Sequence, residues 1–249
     1  MKNKVVILVL ASRGEVFCEF REIWEKYCHR FPEVKTHFVY GQGEHENKYE
    51  SDLIFEDCPD QYPVPVRKTI KAFEFVEANY DYDFLLRTNL SSFWIIPKFL
   101  ENLKDLPLEN FYSGHGPLGC TEGTLIHSKP YFSGTDSVVN RQLITDSLKY
   151  FKEDEKFNDF LINHNTFTIP EDKAMGILFD NVEHVKIPRG DKKCIIQQWL
   201  LHNSLEDVVK EKIKETDSSN KDNFRIKNGP KRQIDIKVMD FLYKHYYVN

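Results

Sequence analysis

Two adjacent carboxylates, Glu171 and Asp172, follow Pro170 where the sequence predicts the start of a helix. A carboxylate held at such a rigid position can act as a general base and take the proton from an attacking hydroxyl group. Acidic residues in a first helical turn also interact favourably with the helix dipole. The pair therefore has a catalytic and a structural interpretation, and these residues alone leave both open.

Further polar segments follow predicted strands. The segment 87–94, Arg-Thr-Asn-Leu-Ser-Ser-Phe-Trp, comes directly after a predicted strand at 83–86. In mostly parallel sheets, ligands bind beyond the carboxyl ends of the strands. The same rule points to Ser12 and Arg13 after the first strand and to the segment 57–60 after the third. We therefore expect all three segments to lie near a ligand.

A basic segment lies near the end of the chain. Residues 223–232 read Asn-Phe-Arg-Ile-Lys-Asn-Gly-Pro-Lys-Arg, and their alternation predicts a strand with Arg225 and Lys227 on one face. A solvated basic edge strand, which discourages aggregation, is one interpretation. The other is a cationic clamp for a diphosphate, because arginine makes bidentate phosphate contacts and lysine supplies a point charge.

The segment 131–135, Tyr-Phe-Ser-Gly-Thr, combines small and aromatic residues. Its glycine would let a ligand approach the backbone closely. The alternative is a turn in which Ser133 or Thr135 caps a following helix. Taken alone, the segment favours the capping interpretation.

Apolar patterns predict the elements that hold these residues. Buried strands are expected at 4–11, 36–41, 53–55 and 83–86, and helices at 16–30, 66–79, 97–106, 137–151, from 170 onward and 235–247. The β-α-β-β-α-β order of the first half predicts an α/β fold with a mixed, mostly parallel sheet flanked by helices. With no internal repeat or interdomain linker, the 249 residues are expected to form a single domain.

Composition disfavours several other classes of function. The net charge of −5 gives no general affinity for nucleic acid or an anionic membrane. The five cysteines include no Cys-x-x-Cys pair, which favours reduced thiols in a cytoplasmic, soluble protein. No apolar run approaches the roughly 18 residues of a transmembrane span. The absence of His-Glu-x-x-His, Gly-x-Ser-x-Gly and Walker motifs disfavours zinc proteases, serine hydrolases and P-loop enzymes.

Taken in chain order, these segments resemble the β-1,3-galactosyltransferase and Fringe family of GT-A glycosyltransferases over roughly residues 4–206. The matching segments are Arg21-Glu22-Ile23-Trp24 for the family's Arg-x-Thr-Trp helix, Phe38-Val39-Tyr40-Gly41 for its second strand, Lys68-Thr69 for its Lys-Thr pair, Tyr131–Val138 for its acceptor-side segment, and Pro170-Glu171-Asp172 with Gly176 for its Glu-Asp-Val-x-x-Gly motif.

The resemblance implies a single-domain GT-A (Rossmann-like) fold, with a donor-binding half at about 1–110 and an acceptor-binding, catalytic half at about 111–249. It also implies an inverting transfer from a nucleotide sugar, usually a UDP-sugar, to a hydroxyl group of a glycan. Asp172 is then the candidate general base, and Glu171 is the second choice. The implied donor-side residues are Ser12, Arg13, Asp57, Lys68 and Arg87, and the implied acceptor-side residues are Gly134, Thr135 and Asp136.

The sequence departs from the family at its metal motif. Asn89, Leu90 and Ser91 stand where the family has three aspartates, which disfavours a manganese cofactor. His202 matches a histidine metal ligand of Fringe-type enzymes, but a histidine without a carboxylate partner is a poor site for a hard cation. The sequence therefore implies no definite cofactor. His202 is the single weak candidate for a metal ligand.

Positive charge from the basic segment is expected to replace the metal. Stabilisation of developing charge is usually the largest catalytic term. The expectation is that Arg225 and Lys227, with Lys231 or Arg232, stabilise the leaving diphosphate, and that a mobile loop at 216–223 lets them close over the donor. Asn89 and Ser91 would then bind the donor ribose or sugar through hydrogen bonds.

Two alternatives remain. Loss of the aspartates favours a degenerate domain that binds nucleotide sugars or glycans without catalysis, whereas retention of Glu171 and Asp172 favours an enzyme. A nucleotidyltransferase on a similar sheet would need acidic metal ligands and a longer glycine-rich loop than the one at 12–14. The missing membrane span suggests cytosolic glycosylation of a bacterial or viral type.

Overall fold

The computed structural model describes residues 4–43, 49–58, 66–116, 131–163, 170–196, 204–228 and 232–248. The chain forms two compact units that alternate along the sequence. The large unit consists of Met1–Ser12, Glu33–Thr88 and Pro107–Arg189. The small unit consists of Arg13–Pro32, Asn89–Leu106 and Gly190–Asn249. The predicted division into halves near residue 110 stays a prediction.

A seven-stranded sheet forms the centre of the large unit. Its strands are β1 (Val5–Leu10), β2 (Val34–Tyr40), β3 (Asp52–Ile54), β4 (Phe84–Asn89), β6 (Phe111–Gly114), β7 (Asp136–Asn140) and β8 (Val185–Pro188). They lie in the order β3-β2-β1-β4-β7-β6-β8. The pairs β1–β2, β2–β3 and β6–β8 are parallel, whereas β7 is antiparallel to both β4 and β6. The predicted α/β class with a mixed, mostly parallel sheet is confirmed.

Strand β1 shows why the sequence forms this sheet. Its six residues, Val-Val-Ile-Leu-Val-Leu, are all buried. A central strand covered on both faces requires such a continuous apolar run rather than an alternating one. The apolar faces of α2 (Val66–Asn79), α4 (Arg141–Glu153) and α6 (Glu171–Phe179) contribute to the same core through residues such as Phe73.

The small unit contains its own sheet of three strands, in the order β5-β10-β9. These are β5 (Ser92–Trp94), β9 (Lys193–Ile196) and β10 (Asn223–Ile226), and its helices are α1 (Glu15–Glu25), α3 (Ile96–Asn102), α7 (Leu205–Asp217) and α8 (Arg232–Tyr243). Aromatic rings fill its interior. Tyr27 packs on Phe93 and stacks on Tyr247, with ring centroids 5.0 and 4.8 Å apart.

The structure corrects one predicted element. A helix was expected near 137–151, but the chain first forms the strand β7 and the helix α4 begins only at Arg141. Apolar residues such as Val138 fit either a helix or a strand over such a short run. Pairing with β4 and β6 decides the outcome, because it buries all five residues of β7.

The helices α1, α2, α3, α6 and α8 agree with the predicted ranges apart from their ends, whereas α5 and α7 were not predicted. The helix α5 (Glu155–Asn163) follows α4 in the large unit, and a π-helical turn at Lys244–Val248 extends α8 in the small unit. In the part of the chain that the structure describes, no helix combines the length and apolar character needed to cross a bilayer. The predicted cytoplasmic location stays a prediction.

Candidate functional site

Glu171, the first residue of α6, is anchored in the large unit by a buried ion pair. Its carboxylate accepts hydrogen bonds from Nε of Arg87, at 3.2 Å, and from Nη2 of the same guanidinium. Thr69 Oγ1 donates a third hydrogen bond to Oε1, at 2.8 Å. The Glu171 and Arg87 side chains are only 5% and 10% exposed. Both carboxylate oxygens are therefore engaged within the protein.

The burial of Glu171 has an electrostatic consequence. Removal from water disfavours the charged carboxylate and raises the pKa of Glu171, while the Arg87 guanidinium opposes this rise. A group that is enclosed and bound on both oxygens is poorly placed to take a proton from a substrate. The predicted role of Glu171 as the second-choice base stays a prediction.

Asp172 has different surroundings. It is half-buried, and its Oδ2 lies 3.4 Å from the backbone nitrogen of Gly134, which donates to it. Its Oδ1 accepts from the backbone nitrogen of Lys173 at 3.0 Å. Backbone donors orient a carboxylate without neutralising its charge. Asp172 therefore combines a fixed orientation with partial access to solvent, as a general base requires.

Two predicted donor-side residues occupy contrasting positions on or near α2. Lys68 is fully buried, and its Nζ donates to the carbonyl oxygen of Ala11, at 3.0 Å. Asp57 is exposed and pairs with Lys71, whose hydrogen bond holds the pKa of Asp57 below its ordinary value. Ser12, next to Ala11, is half-buried. Binding of a donor by these residues stays a prediction.

The predicted acceptor-side residues form a network around the start of β7. The hydroxyl of Thr88 donates to the carbonyl oxygen of Thr135 at 2.7 Å, and Thr135 Oγ1 donates to Asp136 Oδ1 at 3.2 Å. Asp136 is fully buried, and its backbone pairs with that of Thr88. These contacts fix the segment that carries Gly134, whereas its predicted binding of an acceptor stays a prediction.

In the small unit, Asn89 and Ser91, which were expected to stand in place of the family's aspartates, meet the basic strand. Arg225 Nη1 donates to Asn89 Oδ1 at 2.5 Å and also to Ser91 Oγ. The hydroxyls of Ser91 and Ser92 each donate to Asn89 Oδ1 at 3.2 Å. Strand β10 pairs with β5 so that Arg225 lies opposite Ser92. We call Asn89, Ser91, Ser92 and Arg225 the arginine cluster.

The arginine cluster rests on buried packing. Trp24 of α1 is fully buried and donates from Nε1 to the carbonyl oxygen of Leu90, at 3.1 Å. The backbone nitrogen of Ile226 donates to the carbonyl oxygen of Ser91, also at 3.1 Å. The backbone on both sides of the cluster is thereby held, so the guanidinium of Arg225 has a defined position.

The other basic residues have different roles. Lys227 is exposed just after β10. Arg232 lies 3.2 Å from the buried carboxylate of Asp235 and over the ring of Phe20. Asp235 in turn accepts from the backbone nitrogen of Asn228 at 3.0 Å. Arg232 thus binds a carboxylate that also accepts from the backbone of Asn228, whereas Arg225 meets the predicted donor residues Asn89 and Ser91.

The turn before β10 is also anchored. Lys98 Nζ donates to the carbonyl oxygen of Thr216 at 2.7 Å, and Asn102 Nδ2 donates to that of Asn220 at 3.0 Å. The predicted closure of a mobile loop at 216–223 would have to break these bonds.

Arg13 is half-buried at the beginning of the small unit, while Asp60, His202 and Lys231 lie outside the described residues.

The arginine cluster does not fit a manganese ion. Manganese prefers carboxylate oxygens, and none of the four side chains in the cluster is a carboxylate. Arg225 places a permanent positive charge on the oxygen of Asn89. That charge would repel a second cation at the same oxygen. The arrangement is suited instead to an anion.

Two contributors to these clusters had no predicted role of their own, although both lie in segments that the sequence singled out. Thr69 hydrogen-bonds Glu171, and Ser92 hydrogen-bonds Asn89. Each directly follows a predicted residue, Lys68 or Ser91, in the sequence. That adjacency was the available signal, although it could not show that Arg87 and Glu171 pair with each other.

Comparisons with known proteins show the fold. No protein-family model and no curated protein sequence matches this chain. Among solved structures, the chain is similar to a glycosyltransferase involved in the glycosylation of the major capsid of PBCV-1, with a TM-score of 0.53 and 14% identity over 95% of this chain and 99% of the other. A second, an active-site mutant of LgtC, has a TM-score of 0.49 and 12% identity over 96% and 95% of the chains, too low to support an argument.

The first likeness confirms the predicted fold. The chain has the mixed, mostly parallel α/β architecture of GT-A glycosyltransferases. At this level of identity the likeness concerns the fold alone. Membership of the Fringe family stays a prediction.

Proposed function

We propose that this protein is a glycosyltransferase that moves a sugar from a nucleotide-sugar donor to a hydroxyl group of a glycan acceptor. The observation that carries the proposal is the difference between two adjacent carboxylates at the start of α6. Glu171 is enclosed by Arg87 and Thr69, whereas Asp172 is oriented by backbone groups and partly accessible. Such a division of roles leaves one carboxylate as the general base on a glycosyltransferase fold.

In the proposed reaction, Asp172 accepts the proton of the acceptor hydroxyl. The acceptor oxygen forms a bond to the anomeric carbon while the bond from that carbon to the diphosphate oxygen breaks. The bonding electrons remain on the diphosphate, which leaves as part of a nucleoside diphosphate, UDP in our proposal. Attack from the face opposite the leaving group inverts the anomeric configuration, and the proton on Asp172 later passes to water.

The leaving diphosphate gains negative charge as its bond to the sugar breaks. We assign the compensating charge to Arg225, because the arginine cluster presents a guanidinium held by Asn89 and Ser91. A fixed cation of this kind needs no reorganisation when charge develops. The proposal therefore includes a reaction that proceeds without a divalent metal.

Replacement of Asp172 by asparagine tests the assignment of the base. Asp172→Asn keeps the shape of the side chain but removes its ability to accept the proton. We expect kcat to fall by roughly 100- to 10,000-fold, while the dissociation constant for UDP stays unchanged. Initial rates with a panel of UDP-, GDP- and TDP-sugars measure the first quantity, and isothermal titration measures the second.

Asp180→Asn is the matched control, because Asp180 lies at the other end of α6 and pairs with Lys186 at 2.7 Å. This control should keep its activity. Near-normal turnover of Asp172→Asn would refute the assigned base.

A second candidate function is binding of nucleotide sugars or glycans without catalysis. It is favoured by the replacement of the aspartate motif with Asn89, Leu90 and Ser91. The two functions differ in a simple assay. Titration that shows nucleotide-sugar binding, combined with the absence of both transfer and donor hydrolysis, would establish the second.

A further inference from the structure

Gly134 lies against the guanidinium of Arg87. A Cβ atom placed on Gly134 would lie 2.6 Å from Cζ of Arg87 and closer still to Nη1. Real Cβ atoms do not approach other atoms this closely. An arginine in solvent would simply swing aside, but this one is 10% exposed and bound to Glu171 through two nitrogens. The close approach therefore requires glycine at this position.

The same glycine holds the proposed base. Its backbone nitrogen donates to Oδ2 of Asp172, at 3.4 Å. Asp172 directly follows Glu171 in the first turn of α6, so the position of one side chain constrains the other. The contacts close a ring that runs from Glu171 to Arg87, from Arg87 to Gly134, and from Gly134 to Asp172.

We propose that Arg87 is a positioning residue for Asp172, rather than a ligand of the donor. Through Glu171 it fixes the start of α6, and through Gly134 it fixes the backbone donor that orients the Asp172 carboxylate. Misplacement of a reacting group by about 1 Å can cost roughly 100-fold in rate. This inference rests on the proposed function, because the orientation of Asp172 matters for catalysis only if the protein transfers sugar.

Gly134→Ala probes this ring directly. The new methyl group displaces the guanidinium, and we expect kcat to fall about 10- to 100-fold with an unchanged KM for the donor. The same substitution is then made in a variant that carries both Arg87→Met and Glu171→Gln. This variant removes both charges of the buried ion pair, which destabilises a fold less than removing only one of them. The unanchored methionine can move aside, so Gly134→Ala should then change kcat less than about twofold.

Gly114→Ala is the control for crowding alone. Its Cβ would lie 2.5 Å from Cβ of Phe132, in the same unit but outside the ring of contacts. We expect this variant to melt at a lower temperature and to keep its kcat. A merely structural role for Arg87 would instead predict that Gly134→Ala behaves like Gly114→Ala.

The experiment is a double-mutant cycle on kcat, with melting temperatures measured in parallel. A large effect of Gly134→Ala that disappears in the neutral background supports the positioning role. Equal effects in both backgrounds, or a changed donor KM with normal kcat, overturn it while leaving the proposed function in place. If the wild-type protein transfers no sugar from any donor of the panel, the proposed function fails and the positioning role fails with it.

Discussion

Removal of the Arg225 guanidinium gives a quantitative prediction for the arginine cluster. Arg225 is half-buried, and its Nη1 lies 2.5 Å from Asn89 Oδ1. Loss of one preorganised donor to developing negative charge typically lowers kcat by roughly 100- to 1000-fold. We expect Arg225→Ala to show a loss of this size. Arg225→Lys should recover part of the rate, because lysine keeps the charge but lacks the planar arrangement of donors.

The assay is the initial rate of sugar transfer, measured with added EDTA and with added manganese. The wild-type rate should be the same under both conditions. Lys214→Ala removes one exposed charge from the same unit and serves as the control, which should keep its rate. A near-normal rate for Arg225→Ala, or a wild-type protein that is active only with manganese, would refute the reasoning.

A gain of metal dependence provides the complementary test. Asn89→Asp and Ser91→Asp, combined with Arg225→Ala, replace a cationic cluster by two carboxylates. Carboxylate oxygens are the ligands that manganese prefers. If Arg225 stabilises the leaving diphosphate in place of a metal ion, this triple variant should be inactive in EDTA and recover activity with manganese. Equal activity of the triple variant under both conditions would contradict the exchange of roles.

Two further predictions concern the folded state. Glu171→Ala leaves the buried Arg87 without its carboxylate and should lower the free energy of unfolding by about 3–5 kcal/mol; urea titration measures this, and a loss below about 1 kcal/mol would contradict the ion pair. Burial raises the pKa of Cys58 to about 11, so at pH 8 only about one thiol in a thousand is the reactive thiolate. Mass spectrometry after iodoacetamide treatment should show the exposed Cys18 labelled and Cys58 unlabelled, with Cys58 labelling increasing as the pH approaches 11; rapid labelling of Cys58 at pH 8 would contradict its burial.

The sequence predicted the first four strands of the large unit because these strands have strong apolar patterns. The continuous apolar run of β1 favours one structure, a strand covered on both faces. The apolar pattern of residues 136–140 fits either a helix or a strand. Pairing with β4 and β6, which are distant in the sequence, makes this segment the strand β7. Local patterns cannot reveal this kind of selection.

The candidate site was predictable in its parts but not in its pairings. Arg225 and Asn89 were both expected near a donor, and the structure brings them together although they are 136 positions apart in the sequence. Arg87 was expected to bind the donor and Glu171 to be the second-choice base, and the structure pairs the two although they lie 84 positions apart. A charged side chain looks the same in a sequence whether its partner is a ligand or another residue. The distinction depends on burial, which only the fold determines.

The most direct test of the proposed function is a proton NMR time course of the wild-type protein with nucleotide-sugar donors and a glycan acceptor. The account predicts a new glycosidic bond whose anomeric configuration is opposite to that of the donor, together with release of the nucleoside diphosphate in equal amount. It also predicts that Asp172→Asn forms product at least about 100-fold more slowly under the same conditions. Retention of the donor configuration, or product formation at a normal rate by Asp172→Asn, would contradict it.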